Sequence, residues 1–154
     1  MKALFLDLDG MMNRSGGYEL FTPETLLLLC RIVRRTECRI VLNSAFKTEF
    51  DRLMQPLSAR AERFCVALQE SGLSLHDKTP SVIAAEIQEK YAGASGKAVA
   101  VLAYLEEHPE ITCYAVLDDM ALRGHGIEAR YIRTDGWRGL TEEEADLVET
   151  LLNN

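Results

Sequence analysis

The strand predicted at residues 3–6 constrains the fold most, because Ala, Leu, Phe and Leu follow one another there without a polar residue. A strand that is apolar on both faces is typical of a parallel sheet covered by helices, whereas a half-exposed strand alternates apolar and polar side chains. Further strands are predicted at 39–42, 113–117 and 130–133. Strands that alternate with helical segments predict an α/β fold with a mostly parallel sheet.

Three helix starts are marked by capping residues. Thr22-Pro23-Glu24 combines a capping hydroxyl, an early proline and a carboxylate, and predicts a helix that runs to Arg35. Thr79-Pro80 shows the same combination of cap and proline and predicts another helix start. The segment Thr141–Glu144 forms a capping box, which predicts a last helix.

Two further helical regions complete the pattern. Residues 46–72 are predicted as one or two helices that break near Pro56, with Ser58 as the candidate cap of the second. Another helix is predicted over residues 97–108. Since the sequence shows no internal repeat and no linker-like stretch, we expect residues 1–154 to form one domain.

The charge and the cysteine pattern exclude several classes of protein. The 17 basic and 24 acidic residues give a net charge of −7, which argues against general electrostatic adhesion to nucleic acid or to anionic membranes. The four cysteines include no C-x-x-C pair and fit neither a zinc site nor a disulfide scaffold. Without a signal-peptide core or an apolar span, the sequence leads us to expect a soluble, cytoplasmic protein with reduced thiols.

Polar side chains follow three of the predicted strands. Asp7 and Asp9 follow the first strand, Ser44 follows the second, and Asp118 and Asp119 follow the third. Ligands of open parallel sheets bind beyond the carboxyl ends of the strands, so we expect these side chains to converge. Four carboxylates in one place repel one another unless a cation compensates them, and a hard cation such as Mg²⁺ prefers oxygen ligands. The pattern therefore predicts a magnesium site.

The order of these motifs resembles that of the haloacid dehalogenase (HAD) superfamily. The matching segments are Phe5–Gly10, Ile40–Ser44, Lys97 and Val116–Asp119. More narrowly, the chain is similar to the small HAD-type domains associated with RNA-repair proteins. The segments that carry this second likeness are Ser44–Lys47, Lys78–Pro80, Arg133–Asp135 and Gly139–Thr141. Phe46-Lys47 departs from that pattern, because Trp-Arg or Trp-Glu is expected there.

The resemblance implies a phosphomonoester hydrolase that works through an aspartyl-phosphate intermediate. By it, Asp7 is the nucleophile, and Asp9 is the general acid/base that protonates the leaving oxygen and then activates water. Ser44 hydrogen-bonds a phosphoryl oxygen, and Lys97 neutralises charge on the phosphoryl group and on the nucleophile.

The resemblance also implies how the cofactor and the substrate are held. The expected ligands of Mg²⁺ are the carboxylates of Asp7, Asp118 and Asp119 and the main-chain carbonyl of Asp9. Gly10 allows a sharp turn beside the phosphate, where a Cβ would crowd it. Either Asn43 or Ser44 faces the phosphate, depending on where the second strand ends. The implied fold is a three-layer, Rossmann-like arrangement, and the segments between the motifs leave no room for a large cap domain.

An uncapped site of this family is open, which suits a bulky phosphorylated end such as a nucleic acid terminus or a phosphoprotein. For a small substrate such as a nucleotide, a partner subunit would have to close the site. Two alternatives remain: a receiver-like phosphoacceptor domain, and a non-catalytic binding domain with the same fold. A receiver also gathers an acidic pair, Ser or Thr, and Lys around a sheet, but there the lysine comes last, whereas here the acidic pair does. For His125 and Trp137 we expect structural roles in loops. The alternatives are that His125 contacts the substrate and that Trp137 stacks on a base.

Overall fold

The computed structural model describes residues 1–8, 22–136 and 138–154. The strands in these ranges are β1 (Lys2–Leu6), β2 (Arg39–Leu42), β3 (Leu75–Lys78), β4 (Cys113–Asp118) and β5 (Tyr131–Arg133). The α-helices are α1 (Pro23–Thr36), α2 (Ala59–Glu70), α3 (Ala85–Lys90), α4 (Gly96–Glu107) and α5 (Glu142–Asn153). Two short 3-10 helices span Ala45–Glu49 and Ile127–Arg130.

The five strands form one sheet in the order β3-β2-β1-β4-β5, and every neighbouring pair is parallel. β1 lies in the middle, with Leu6 paired to Leu42 of β2 on one side and to Leu117 of β4 on the other. In chain order, β2 and β3 are added on one side of β1, and β4 and β5 are then added on its other side. This reversal creates a crevice at the carboxyl ends of β1 and β4, where ligands of open α/β sheets bind.

Helices cover both faces of the sheet. Leu4 and Leu6 of β1 pack into a buried cluster with residues of α1, α2 and α5. Phe5, between them, belongs to a second cluster on the opposite face, which includes Ala98 and Val101 of α4. This arrangement confirms the predicted three-layer α/β fold with a parallel sheet. It also explains why β1 is apolar at consecutive positions, because both of its faces are buried.

The predicted caps are confirmed at three helices. The hydroxyls of Thr22 and Ser58 accept hydrogen bonds from main-chain amides in the first turns of α1 and α2. Thr141 and Glu144 form the full capping box at the start of α5. None of the helices in the described ranges combines the length and apolarity that a membrane span requires.

The helix start predicted at Thr79-Pro80 is wrong. Helix α3 begins only at Ala85, without a side-chain cap. The Thr79 hydroxyl instead donates a hydrogen bond to Oδ1 of Asn43, 2.8 Å away, and the Thr79 amide donates to the main-chain oxygen of Leu42 at 2.9 Å. Thr79 therefore continues the alignment of β3 with β2, and its hydroxyl is not available as a cap.

Candidate active site

Asp7 follows β1 directly and lies at the crevice. Its amide donates a hydrogen bond to the main-chain oxygen of Leu117 at 3.0 Å, so the β1–β4 ladder extends to this residue. Side chains alternate along a strand, and Asp7 therefore points to the same face as Phe5, towards α4. Asp118, at the end of β4, points to this face as well, because Val116 belongs to the same cluster as Phe5.

Lys97, in the first turn of α4, joins these two carboxylates. Its Nζ lies 3.1 Å from Oδ2 of Asp7 and 2.9 Å from Oδ2 of Asp118. The side chain of Asp7 is 3% exposed and that of Asp118 is fully buried, whereas the lysine side chain is 29% exposed. The single ammonium therefore compensates two carboxylates that are almost completely removed from water.

The loop after β4 fixes the start of α4 and so the position of Lys97. The Ser95 amide donates to the main-chain oxygen of Arg123 at 3.1 Å, and the Arg123 amide donates to the Ser95 hydroxyl at 3.3 Å. Gly124 has a φ of +107°, and a Cβ there would lie 2.7 Å from Cα of Ala94. This close approach of two backbones requires glycine at position 124.

Asp119 adds a third carboxylate to the cluster. Oxygen atoms of Asp7, Asp118 and Asp119 all lie within 4.8 Å of one another. The second oxygen of Asp118 accepts a hydrogen bond from the Met120 amide at 2.9 Å, which orients that carboxylate. Three anionic oxygens at this spacing, with one lysine as counter-charge, are a donor set that suits a hard divalent cation such as Mg²⁺.

The buried charges alter the pKa values of the cluster. Burial and the charge of Asp118 raise the pKa of Asp7 to about 7, although Lys97 acts to lower it. Burial also raises the pKa of Asp118. For Lys97 burial lowers the pKa, but the hydrogen bonds and charges of the two carboxylates outweigh it and raise the pKa above its ordinary value. A further cation would therefore favour the ionised form of Asp7.

Asn43 and Ser44 stand beside Asp7 at the end of β2. The Asn43 amide donates to the main-chain oxygen of Leu6 at 2.8 Å, and the Ser44 hydroxyl accepts from the Phe46 amide at 3.2 Å, capping the first 3-10 helix. Both side chains are buried. Oδ1 of Asn43 accepts from Thr79, whereas its Nδ2 is buried and has no hydrogen-bond partner in the described part of the chain.

Lys47 and Lys78 form a basic pair next to this position, and sequence reasoning gave neither of them a role. Nζ of Lys47 donates to the Thr79 hydroxyl at 3.1 Å and to the main-chain oxygen of Pro80 at 2.9 Å. Nζ of Lys78 donates to the main-chain oxygens of Lys47 and Phe50. Both lysines lie in segments that carry the resemblance, Ser44–Lys47 and Lys78–Pro80, but nothing in the sequence indicated that they lie together.

Six of the predicted site residues come together at the crevice. They are Asp7, Asn43, Ser44, Lys97, Asp118 and Asp119. Asp9, Gly10 and Trp137 lie outside the described residues. His125 packs edge-on against Tyr91, and its Nε2 lies 3.3 Å from the main-chain oxygen of Ala92. These contacts are structural and do not involve the carboxylate cluster.

Comparison with known proteins gives one match. The sequence model of a family described as "HAD domain in Swiss Army Knife RNA repair proteins" matches residues 3–145, which include every candidate site residue. No curated protein and no solved structure matches the chain.

Proposed function

This chain belongs to the family of HAD domains in Swiss Army Knife RNA repair proteins, and we propose on that premise that it is a Mg²⁺-dependent phosphomonoester hydrolase. Membership supports phosphoryl transfer as the general chemistry. The observation that carries the finer proposal is the Lys97 ammonium held between the carboxylates of Asp7 and Asp118, with Asp119 beside them, at the crevice of the sheet.

The proposed reaction has two displacement steps. In the first, a carboxylate oxygen of Asp7 attacks the phosphorus, the bond to the leaving oxygen breaks, and Asp9 gives that oxygen a proton. In the second, Asp9 takes a proton from water as the water oxygen attacks the phosphorus. The bond to Asp7 then breaks, which releases inorganic phosphate and restores the Asp7 carboxylate. The role of Asp9 rests on the family resemblance.

The other residues of the site stabilise the charge of the phosphoryl group. The Lys97 ammonium lies within 3.1 Å of the nucleophile and is placed to neutralise phosphoryl oxygens as they approach. Ser44 provides a hydroxyl near Asp7. Nδ2 of Asn43 is a donor without a partner among the described residues, and a buried donor of this kind gains free energy from a phosphoryl oxygen.

The carboxylates of Asp7, Asp118 and Asp119 would hold Mg²⁺, together with Asp9 by family resemblance. When bound, the ion supplies positive charge to the phosphoryl group and keeps Asp7 ionised. The site needs such a cation because, without one, burial raises the pKa of Asp7 to about 7 and much of this carboxyl group is protonated at neutral pH.

For the substrate we propose a phosphorylated nucleic acid end. The support is the family's association with RNA repair and an open sheet edge, since the described residues include no inserted cap domain. Because the net charge of the chain is −7, we expect it to attract an anionic polymer only near the positive groups of the site.

All four cysteines are free thiols, which supports our expectation of a reducing, cytoplasmic compartment.

The test is phosphate release from a 3′-phosphorylated oligonucleotide in the presence of Mg²⁺. We expect Asp7→Asn to lower turnover by at least about 10³-fold, because it removes the nucleophile. Asp146→Asn is the matched control, since Asp146 is an exposed residue of α5 that pairs with Arg31. Equal turnover by wild type and Asp7→Asn rejects the proposal. Stable phosphate on Asp7 after treatment with acetyl phosphate indicates a receiver-like domain, and binding without turnover indicates a non-catalytic one.

A further inference from the structure

Lys47 and Lys78 carry positive charge that the described residues do not neutralise. Both side chains are half-buried, and their ammonium groups donate to the Thr79 hydroxyl and to main-chain oxygens. No carboxylate of the described residues forms an ion pair with either lysine. Burial lowers the pKa of Lys47, and repulsion by Lys78 and Lys97 acts in the same direction. Of these three lysines, Lys97 alone has carboxylate partners among the described residues.

The Lys47 ammonium has a defined place relative to the nucleophile. Asp7, Asn43 and Thr79 occupy neighbouring positions across β1, β2 and β3 at the same edge of the sheet. Strands are spaced by roughly 5 Å, so Thr79 lies about 10 Å from Asp7 along this row. Nζ of Lys47 is hydrogen-bonded to Thr79, and Thr79 is hydrogen-bonded to Asn43.

The Lys47 ammonium can donate one more hydrogen bond. An ammonium group has three donors, and two of them reach the Thr79 hydroxyl and the Pro80 main-chain oxygen. The third has no acceptor among the described residues. A half-buried cation without a counter-charge is unfavourable in the isolated protein, and an anionic ligand relieves that cost. Since Lys47 is partly exposed, such a ligand can reach it from solvent.

We propose that Lys47, supported by Lys78, forms a subsite for a second phosphate group of the substrate, on the β3 side of the phosphoryl group that Asp7 attacks. This inference rests on the proposed function and narrows it. The second phosphate is the phosphodiester next to the phosphorylated end of a nucleic acid strand. A mononucleotide has no such group, so the subsite selects a strand end over a free nucleoside monophosphate.

The experiment compares two substrates that differ by this one phosphate: a dinucleotide with a 3′-phosphate and a nucleoside 3′-monophosphate. We expect Lys47→Met to raise KM for the dinucleotide about tenfold, because one charge-assisted hydrogen bond to the substrate is lost. The mononucleotide should lose less, because for it the substitution removes only the hydrogen bond that supports the Thr79 hydroxyl. Lys47→Arg keeps the charge and is expected to retain most of the preference. Arg39→Met is the matched control, because it removes an exposed cation at the opposite end of β2.

The other outcomes of this experiment distinguish failure of the subsite from failure of the proposed function. An equal loss on both substrates, or no loss on either, overturns the subsite and leaves the proposed function intact. A loss of dinucleotide preference in Arg39→Met as large as in Lys47→Met also overturns it, because the effect is then one of general charge. If the wild type releases phosphate from neither substrate, the proposed function itself is wrong. Thermal unfolding of each variant verifies that it folds.

Discussion

Lys97 is the residue on which the charge balance of the site depends. Its ammonium is within 3.1 Å of both Asp7 and Asp118, whose side chains are almost entirely buried. Replacing it leaves two buried carboxylates without an ion-pair partner among the described residues, which raises the pKa of Asp7 further and lowers its ionised fraction at neutral pH.

We expect Lys97→Met to lower kcat by about 10²- to 10³-fold at saturating Mg²⁺, the range seen when one charge-stabilising group is removed from an active site. The measurement is steady-state phosphate release. Lys90→Met is the control, because Lys90 is an exposed lysine of α3 that pairs with Glu106. A kcat for Lys97→Met within twofold of the wild type contradicts the role assigned to this lysine.

Thr79 controls the orientation of the Asn43 amide. The Thr79 hydroxyl donates to Oδ1 of Asn43 and thereby leaves Nδ2 free to donate to a phosphoryl oxygen. Thr79→Val keeps the shape but removes this donor, and we expect kcat/KM to fall about tenfold. Thr79→Ser keeps the hydroxyl and is expected to stay within about twofold of the wild type. If both variants lose activity equally, the hydroxyl is not the cause.

At the scale of elements, the loop after β4 and the start of α4 act as one unit. Gly124 packs against Ala94 so closely that a Cβ would lie 2.7 Å from the Ala94 Cα, whereas a Cβ at Gly126 meets nothing within 4 Å. Both glycines have positive φ, so alanine is strained at either position. Comparing alanine substitutions at these two glycines therefore separates the effect of backbone strain from the effect of contact with Ala94.

We expect Gly124→Ala to destabilise the protein by roughly 3 kcal/mol and Gly126→Ala by about 1 kcal/mol, measured by urea unfolding. Since Lys97 follows Ala94 by three residues, the first substitution should also lower kcat and the second should not. Equal effects of the two substitutions on stability and kcat would show that contact with Ala94 does not position α4.

Elements with strong local signals were predictable from sequence, and those that depend on the rest of the sheet were not. β1 and β4 are buried on both faces and read as apolar runs, and α5 has a capping box. β3, Leu-His-Asp-Lys, is an edge strand with a polar sequence, so the pattern did not locate it. Thr79-Pro80 looked like a helix start because it combines a capping hydroxyl with a proline. The hydrogen bond from the Thr79 hydroxyl to Asn43 forms only when β3 pairs with β2, so the local sequence did not reveal it.

The whole sheet explains which parts of the candidate site could be predicted. Asp7, Ser44 and Asp118 follow strands directly, and a parallel sheet brings strand ends to one edge whatever the order of its strands. The contacts of Lys47 and Lys78 depend on the position of β3 beyond β2 and on the short 3-10 helix after Ser44. Neither feature has a signature in the local sequence, so this basic pair became visible only in the folded chain.

The stability of the whole molecule should depend on pH through Asp7. Its pKa rises from 3.8 to about 7 on folding, so between these values the folded state holds a proton that the unfolded chain releases. By linkage, the free energy of unfolding falls as pH rises from about 4 to 7 and then stays constant, and the loss is at most about 4 kcal/mol. The raised pKa of Asp118 acts in the same direction.

We expect this loss in urea unfolding of the wild type in EDTA, and a smaller loss in Asp7→Asn, where position 7 no longer titrates and the contribution of Asp118 remains. Mg²⁺ binds the ionised carboxylates, so it should raise the free energy of unfolding at pH 8 and have little effect at pH 5. In Asp7→Asn, with one metal ligand replaced, the gain at pH 8 should be smaller. A wild type that Mg²⁺ stabilises equally at both pH values would show that the ion binds elsewhere, because Asp7 ionises within that interval.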